Sequence, residues 1–468
     1  MIETEGTDGR HGLRRQLGLT DLVLAQVLCV VGSSWVGVAA GLGRAQMLFW
    51  VGAMLLFYLP MAASVIGLNR EMPLEGGLYV WAHRAFGDLG GFLTAWNILI
   101  YALAVTAAIL YAIPSEIAYL VGPSAAWLPE NRLASDAIVA LAIAGVTFTA
   151  MRGLNVGKWI QNIGGLAMMA VFVALIFLPL WGLAQHRHIQ WAPLSFVAPP
   201  RDMRTFALFG QIMFGGLCGL EYIAILAGES RRPARTIAQS VWIASPIICA
   251  MFILGTSSVV AYVPQNEINF IAPIPQTMRI ALGQTGLGNL IAIAAILGIE
   301  LRLLGAASMM FTGATRLPMT LGWDNMLPAW FTRLHPRWKT PVNSAACMSA
   351  LVFLLLLLAN VGVHAQEAYQ LLSNASTTHY EIAYLAMFAV PLVGRAALRR
   401  RLPLWLVCTS VVGFCSTVFC LLISAYPFVS VVNAKVYALK IAATIALSNL
   451  VACALYAARG RVAARRRT

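Results

Sequence analysis

Charge is what this chain has least of. Only 11% of its 468 residues are Asp, Glu, Lys or Arg, against about 25% in a soluble globular protein. Long polar stretches are missing as well. The largest, around 184–204 and 263–283, are too short to fold as domains of their own. No segment alternates polar and apolar residues in the short units of a membrane β-barrel. The eight cysteines (Cys29, Cys218, Cys249, Cys347, Cys408, Cys415, Cys420 and Cys453) form no C-x-x-C pair and no metal-ligand spacing. No HExxH and no paired nucleophile and base is found. These absences argue against a soluble protein, a membrane-embedded enzyme, a zinc module and an outer-membrane barrel. The cysteines lie in or beside apolar stretches, where a small packing role is the simplest reading for seven of them; Cys218 is the one near a candidate site.

What is present is hydrocarbon. Hydrophobic residues make up 60% of the chain. They fall into blocks of roughly twenty, the length that spans a bilayer core: near 22–42, 47–69, 91–121, 135–151, 159–183, 205–227, 240–262, 286–314, 342–363, 368–393, 402–425 and 436–457. The expected fold class is an all-α polytopic membrane protein with twelve transmembrane helices. The net charge of +14 does not point to nucleic acid, because of where it falls. With the N-terminus in the cytoplasm, most of the 32 Lys and Arg lie on the cytoplasmic side, including Arg10, Arg14, Arg15, Arg231, Arg232, Arg235, Arg399, Arg400 and Arg401. The positive-inside rule then puts both termini in the cytoplasm and the chain in the inner membrane. The tail ARGRVAARRRT reads as an anchor meeting anionic lipid. The first apolar block follows three arginines but is too long for a signal peptide core, so it reads as a retained span. The prolines of PLSFVAPP and IAPIPQ suggest ordered external loops. The Trp- and Arg-bearing loop at 316–341 suggests a short interfacial helix.

Two blocks share an interruption. The first reads QVLCVVGSSWVGVAAGLG (26–43) and the sixth QIMFGGLCGLEYIAILAG (211–228). Each has a small-residue break about a third of the way in. They stand five spans apart, so they cross the membrane in opposite directions. Interrupted helices at matching places in two oppositely oriented halves point to a transporter site built from inverted repeats. Small-residue faces for close helix packing are the other reading.

The chain resembles the amino acid–polyamine–organocation superfamily. GLEYIAILAGESRRPARTIAQSV (219–241) is similar to that family's sixth-span signature, through Gly219, Glu221, Glu229, Pro233, Arg235 and Ile237. MPLEGGLYVWAHRAFGDLGGFLTAW (72–96) resembles its segment between spans two and three, VGSSW (31–35) its unwound first-span motif, and MLPAWFTRLHPRWKTP (326–341) its loop before span nine. The resemblance implies a LeuT-like core of five plus five inverted spans, broken in helices 1 and 6, with two spans added. It implies a permease that moves amino acids or related amines by alternating access. The implied organisation is a cytoplasmic segment at 1–17, a first repeat at 18–183, an external loop at 184–204, a second repeat at 205–393, two further spans at 394–458 and a basic cytoplasmic tail at 459–468. The implied partners are a small amino acid or amine and membrane lipid, with no nucleic acid and no cofactor. Proton coupling stays open, and the oligomeric state is not legible.

An amino acid carries a carboxylate and an ammonium, and burying either unpaired is severely unfavourable. A broken helix supplies free N–H groups at the start of one half and free carbonyls at the end of the other. Gly32, Ser33 and Ser34 are therefore expected to offer amides to the carboxylate. Phe214, Gly215, Gly216 and Cys218 are expected to offer carbonyls to the ammonium. Glu221, a carboxylate at mid-membrane depth, has three readings: it braces the break by accepting freed amides, it titrates and couples transport to protons, or it contacts a cationic substrate. The resemblance places a gating aromatic where this chain has Gly215, with Phe214 or Trp35 as substitutes. It places a span-five lysine near Met168. Thr106 falls where the family often has a polar site residue, with a bond back to its own helix as the alternative. Glu300 and Arg302 lie two residues apart on different helix faces and are read as lining an external vestibule or a structural ion network. SNASTTHYE (373–381), with Ser376, Thr377 and His379, is read as irregular backbone lining the cavity. An exchanger of polyamines or organocations is the alternative within the fold, and a channel or receptor the alternative outside it.

Overall fold

The computed structural model describes residues 19–465 except 73–77, 153, 187–188, 190–195, 198, 221–232, 320–328 and 394–401. Among the described residues every regular element is helical, the outcome forced on a chain whose backbone polar groups meet no water in a membrane. Sixteen helices follow in order: α1 Leu19–Val30, α2 Ser33–Ala40, α3 Gln46–Ala53, α4 Leu59–Glu71, α5 Leu78–Val121, α6 Arg132–Arg152, α7 Leu154–Ala184, α8 Met203–Phe214, α9 Pro233–Tyr262, α10 Pro273–Leu282, α11 Gly286–Arg316, α12 Ala329–Thr332, α13 Val342–Ala359, α14 Ala365–Val393, α15 Leu404–Ile423 and α16 Ala434–Arg465.

Among the described residues, nine candidate spans are long and apolar enough to cross a membrane. They correspond to nine of the twelve apolar blocks. The blocks outside this set are the first, the sixth and the tenth. The first is divided into α1 and α2. The sixth begins as α8, which stops at Phe214. The tenth is α14, continuous over 29 residues but rich in polar side chains. Large apolar residues such as Leu141, Phe177, Trp242, Leu290, Leu354 and Leu447 point outward, as they do in a helix bundle whose surrounding solvent is lipid.

Small residues and polar links hold the helices together, because lipid gives apolar helices little reason to associate. Gly164 of α7 meets the α11 backbone so closely that a Cβ would lie 2.8 Å from the Leu301 carbonyl oxygen. Gln26 of α1 donates to Ser240 of α9 at 2.6 Å. Trp50 of α3 stacks on Phe252 at 4.2 Å and donates to Thr256 at 3.1 Å. Asn374 of α14 is a hub. It accepts from Gln211 of α8 at 2.7 Å and donates to the Ser424 carbonyl and the Tyr437 hydroxyl, each at 2.7 Å.

Two helices carry local distortions. In α5 the backbone turns at Gly87, whose φ of 75° is the left-handed region that favours glycine. His83 and Asp88 pair across this turn at 2.9 Å. Between α3 and α4, Met54–Tyr58 forms one π-helical turn. Its cause is two residues further on. Pro60 has no N–H for the carbonyl four residues back, and that carbonyl, on Leu56, instead accepts from Ser416 of α15 at 2.8 Å.

The expected ordered loop at 263–283 contains α10, with Pro273 in its first turn and packed on Gly37 of α2. Within 184–204, residues 187–188, 190–195 and 198 lie outside the described residues. The expected interfacial helix appears as the single turn α12, with 320–328 outside the described residues. The reading of SNASTTHYE as irregular backbone is corrected: it is regular helix inside α14. Its polar groups bond back along the same helix, Thr377 to the Ser373 carbonyl, Thr378 to that of Asn374 and His379 Nδ1 to that of Ala375. Bonding to the preceding turn gives each buried hydroxyl a partner without leaving the helix.

Candidate functional site

The first interruption is present. α1 ends at Val30, Val31 and Gly32 are non-helical, and α2 begins at Ser33. Gly32 is extended, with φ −121° and ψ 147°, and caps α2 without a side-chain hydrogen bond. The sequence set the break at Gly32, Ser33 and Ser34; here only Gly32 lies in it. Ser33 and Ser34 form the first turn of α2, where backbone N–H groups lack partners within the helix. Ser33 is buried and Ser34 half-buried.

The second interruption starts where α8 ends. Residues 215–217 turn, and 218–219 are irregular. The Phe214 carbonyl accepts from the Cys218 amide at 2.9 Å and the Leu217 amide at 3.3 Å. The Cys218 thiol reaches the Gly215 carbonyl at 3.7 Å. Gly219 has φ 110°, where an L side chain is strained, and its amide donates to the Tyr384 hydroxyl of α14 at 3.1 Å. Glu221 lies outside the described residues. At the N-terminal end of α8, Asp202 accepts from the Thr205 amide at 2.6 Å. That bond holds the Asp202 carboxyl below its ordinary value.

Trp35 joins the two interruptions. A Cβ on Gly32 would lie 2.9 Å from Cδ1 of its indole, and one on Gly215 would overlap the far edge of the same ring. Gly216 faces Trp50, with 3.2 Å from a Cβ to Cη2. Phe214 is fully buried and packs on Phe57 and Tyr384, each at 5.1 Å, and on Tyr380 at 6.1 Å. Tyr380 stacks on Tyr101 of α5 at 3.9 Å. The π turn brings Phe57 into this group.

Of the expected site residues, the structure brings Gly32 and Gly215 together at Trp35, sets Gly216 against Trp50 and Cys218 against the Gly215 carbonyl, and packs Phe214 in an aromatic wall from α3–α4, α5 and α14. Thr106 is buried and donates to the Ala102 carbonyl at 2.6 Å, so its hydroxyl bonds back to its own helix. His379 is buried, and its Nε2 has no hydrogen-bond partner among the described residues. Sequence reasoning missed Tyr380 and Tyr384. The available signal was the i, i+4 spacing of Tyr380 and Tyr384 within a block already marked as polar.

A sequence model of the family described as amino acid permease matches residues 17–450. The chain is 24% identical to an uncharacterized transporter of Legionella pneumophila over 80% of each chain. It is 23% identical to a branched-chain amino acid permease of Bacillus subtilis, over 79% of this chain and 82% of the relative. It is 20% identical to a probable agmatine/putrescine antiporter of Lactococcus lactis, over 80% of this chain and 78% of the relative.

Proposed function

This chain belongs to the amino acid permease family, and from that premise we propose that it carries amino acids or related amines across the cytoplasmic membrane by alternating access. The observation that carries the reading is the divided first span facing the end of α8, with one indole packed on a glycine of each. The proposed architecture is twelve spans with a LeuT-like five-plus-five inverted repeat and both termini in the cytoplasm. It is supported by the nine candidate spans, by the two interruptions five blocks apart and by the placement of Lys and Arg.

In the proposed site the substrate carboxylate meets the open amides of Ser33 and Ser34 at the positive end of α2. The ammonium meets carbonyls from Phe214 to Cys218. Two of these are already engaged: Phe214 by backbone amides and Gly215 by the Cys218 thiol. A carbonyl has a second lone pair, so engagement leaves room for an ammonium donor. Thr106 and Glu221 complete the proposed set, Thr106 through its second lone pair. Trp35 takes the place of the gating aromatic that the sequence lacks at 215. The names of two relatives supply two substrate classes, branched-chain amino acids and agmatine or putrescine, and the second names antiport.

Counterflow in proteoliposomes tests this. Vesicles loaded with one of the twenty amino acids, agmatine or putrescine should take up the same labelled solute saturably. Gly32→Val, which crowds Trp35 and stiffens the break, should lower the rate by about tenfold, as expected when an interaction needed for turnover is lost. Absence of counterflow with every solute would refute the reading. Glu221→Gln resolves the carboxylate's role: retained binding with lost pH dependence selects the proton reading, and unchanged pH dependence removes it.

A further inference from the structure

We propose that Asn374 is a positioning residue that ties the last two helices to the second interruption and so sets where its carbonyls stand. The tie is a chain of hydrogen bonds. Gln211, in the last turn of α8, donates to Asn374 Oδ1 at 2.7 Å. Asn374 Nδ2 donates to the Ser424 carbonyl, just past α15, and to the Tyr437 hydroxyl, in the first turn of α16, each at 2.7 Å. Asn374 and Tyr437 have no exposed surface, and Gln211 is 5% exposed.

The partners fix the amide. A carbonyl can only accept, so the Ser424 carbonyl draws Nδ2 toward it. Oδ1 then faces Gln211, which answers with an N–H. The oxygen and both N–H groups of Asn374 are all used. Aspartate, of the same shape, brings no N–H, and leucine brings neither donor nor acceptor. In a buried setting each partner left alone is costly.

Gln211 is also the residue that closes α8. Its backbone carbonyl accepts from the Gly215 amide and, at 3.3 Å, from the Gly216 amide. Asn374 therefore holds, through a side chain, the residue on which the turn at 215–217 is built. On the far side of that turn the Gly219 amide donates to Tyr384, so α14 grips the interruption from both sides.

The connection between α15 and α16, residues 424–433, is fastened to the same two helices. Glu367, Gln370 and Asn374 are three and four residues apart and share one face of α14. Glu367 accepts from the Val432 amide at 3.0 Å and Gln370 from the Val429 amide at 3.4 Å. Arg204, in the first turn of α8, donates to the Phe428 carbonyl at 3.1 Å. Beside Gln211, a Cβ on Gly210 would lie 2.5 Å from Cγ2 of Ile423, the last residue of α15. A shift of the connection is thus carried to α8 at its first turn and at its last. Polar links also serve plain cohesion between membrane helices. Cohesion alone would change how much protein folds, not how tightly the folded protein holds a solute. The inference rests on the transport reading, in which the carbonyls from Phe214 to Cys218 receive the ammonium.

The test uses the full chain in proteoliposomes and any solute that gives counterflow. The half-saturating concentration is measured, because it does not depend on how much folded protein the vesicles hold. Gln211→Leu and Asn374→Leu should each raise it by about tenfold, the upper end of what one lost hydrogen bond gives. The double variant should raise it no further than either one, because both remove the same link. Tyr437→Phe keeps the ring and strands one N–H of Asn374. It should raise the value by about threefold, although α16 lies outside the proposed site. If a leucine variant yields no counterflow, Tyr437→Phe decides the matter: a raised value supports the tie and an unchanged one overturns it. Values unchanged in all three single variants overturn this inference and leave the transport reading standing. So do leucine effects that multiply in the double variant. No counterflow of any solute by the unaltered chain overturns the transport reading itself, and this inference with it.

Discussion

At the scale of single residues, a side chain missing from one helix is replaced by a side chain from another. Position 215 has no Cβ, and the indole of Trp35 occupies the space where one would project. A bulky residue at 215 and an indole at 35 are therefore alternatives. Gly215→Phe forces an overlap that cores accommodate at about 1–3 kcal/mol. Trp35→Ala empties the space over both interruptions and, for a half-buried ring, costs somewhat less than the roughly 3–5 kcal/mol of a fully buried one. The double variant should regain part of both losses. A coupling energy of about 1 kcal/mol or more in thermal unfolding of the purified protein is the expected result; additive losses would show that the two positions do not share one space. The glycines of both interruptions were visible in the sequence, because clustered small residues loosen an apolar helix wherever they stand. The indole between them was not. It depends on which parts of a long chain fold against each other, and one sequence holds no record of that.

At the scale of elements, the apolar blocks foretold most helices because the bilayer rewards length and composition, and both can be counted. Distortions depend on neighbours and escaped. The π turn at Met54–Tyr58 has its local cause in Pro60, but its accommodation comes from Ser416, far away on α15. Composition also misled in the tenth block, where polar residues look like a broken helix until their bonds to the preceding turn are seen. The π turn invites a direct trial. Ser416→Ala strands the Leu56 carbonyl in a segment facing no water, at roughly 1–3 kcal/mol for an unsatisfied polar group. Pro60→Ala restores an N–H at the position that serves this carbonyl in a regular helix, relaxes the turn and draws Phe57 away from Phe214. In the Pro60→Ala background, Ser416→Ala should be nearly silent in thermal unfolding. A full Ser416→Ala loss in that background would separate the hydroxyl from the proline.

At the scale of the whole molecule, alternating access requires the meeting point of the interruptions to face one side of the membrane and then the other, and never both. Cys218 lies at that point, half-buried, with its thiol on the Gly215 carbonyl. The exposed Cys408, Cys415 and Cys453 lie on outward faces of candidate spans, where hydrocarbon excludes a charged reagent. A chain that keeps Cys218 alone among its eight cysteines should therefore report the cycle. A charged, membrane-impermeant thiol reagent is applied to vesicles of one orientation, from outside or from within. In the absence of substrate it should modify Cys218 from one side much faster than from the other. A transported solute on the opposite side should shift the balance by drawing the molecule into its other state, since a ligand moves a conformational equilibrium only by binding the two states unequally. The same solute on the reactive side should slow modification by occupying the carbonyls next to the thiol. Equal rates from both sides, unmoved by solute, would describe an open pore; no reaction from either side would describe a sealed packing contact. Either result would mean that the interruptions at Gly32 and Gly215 exist for some purpose other than carrying a solute across.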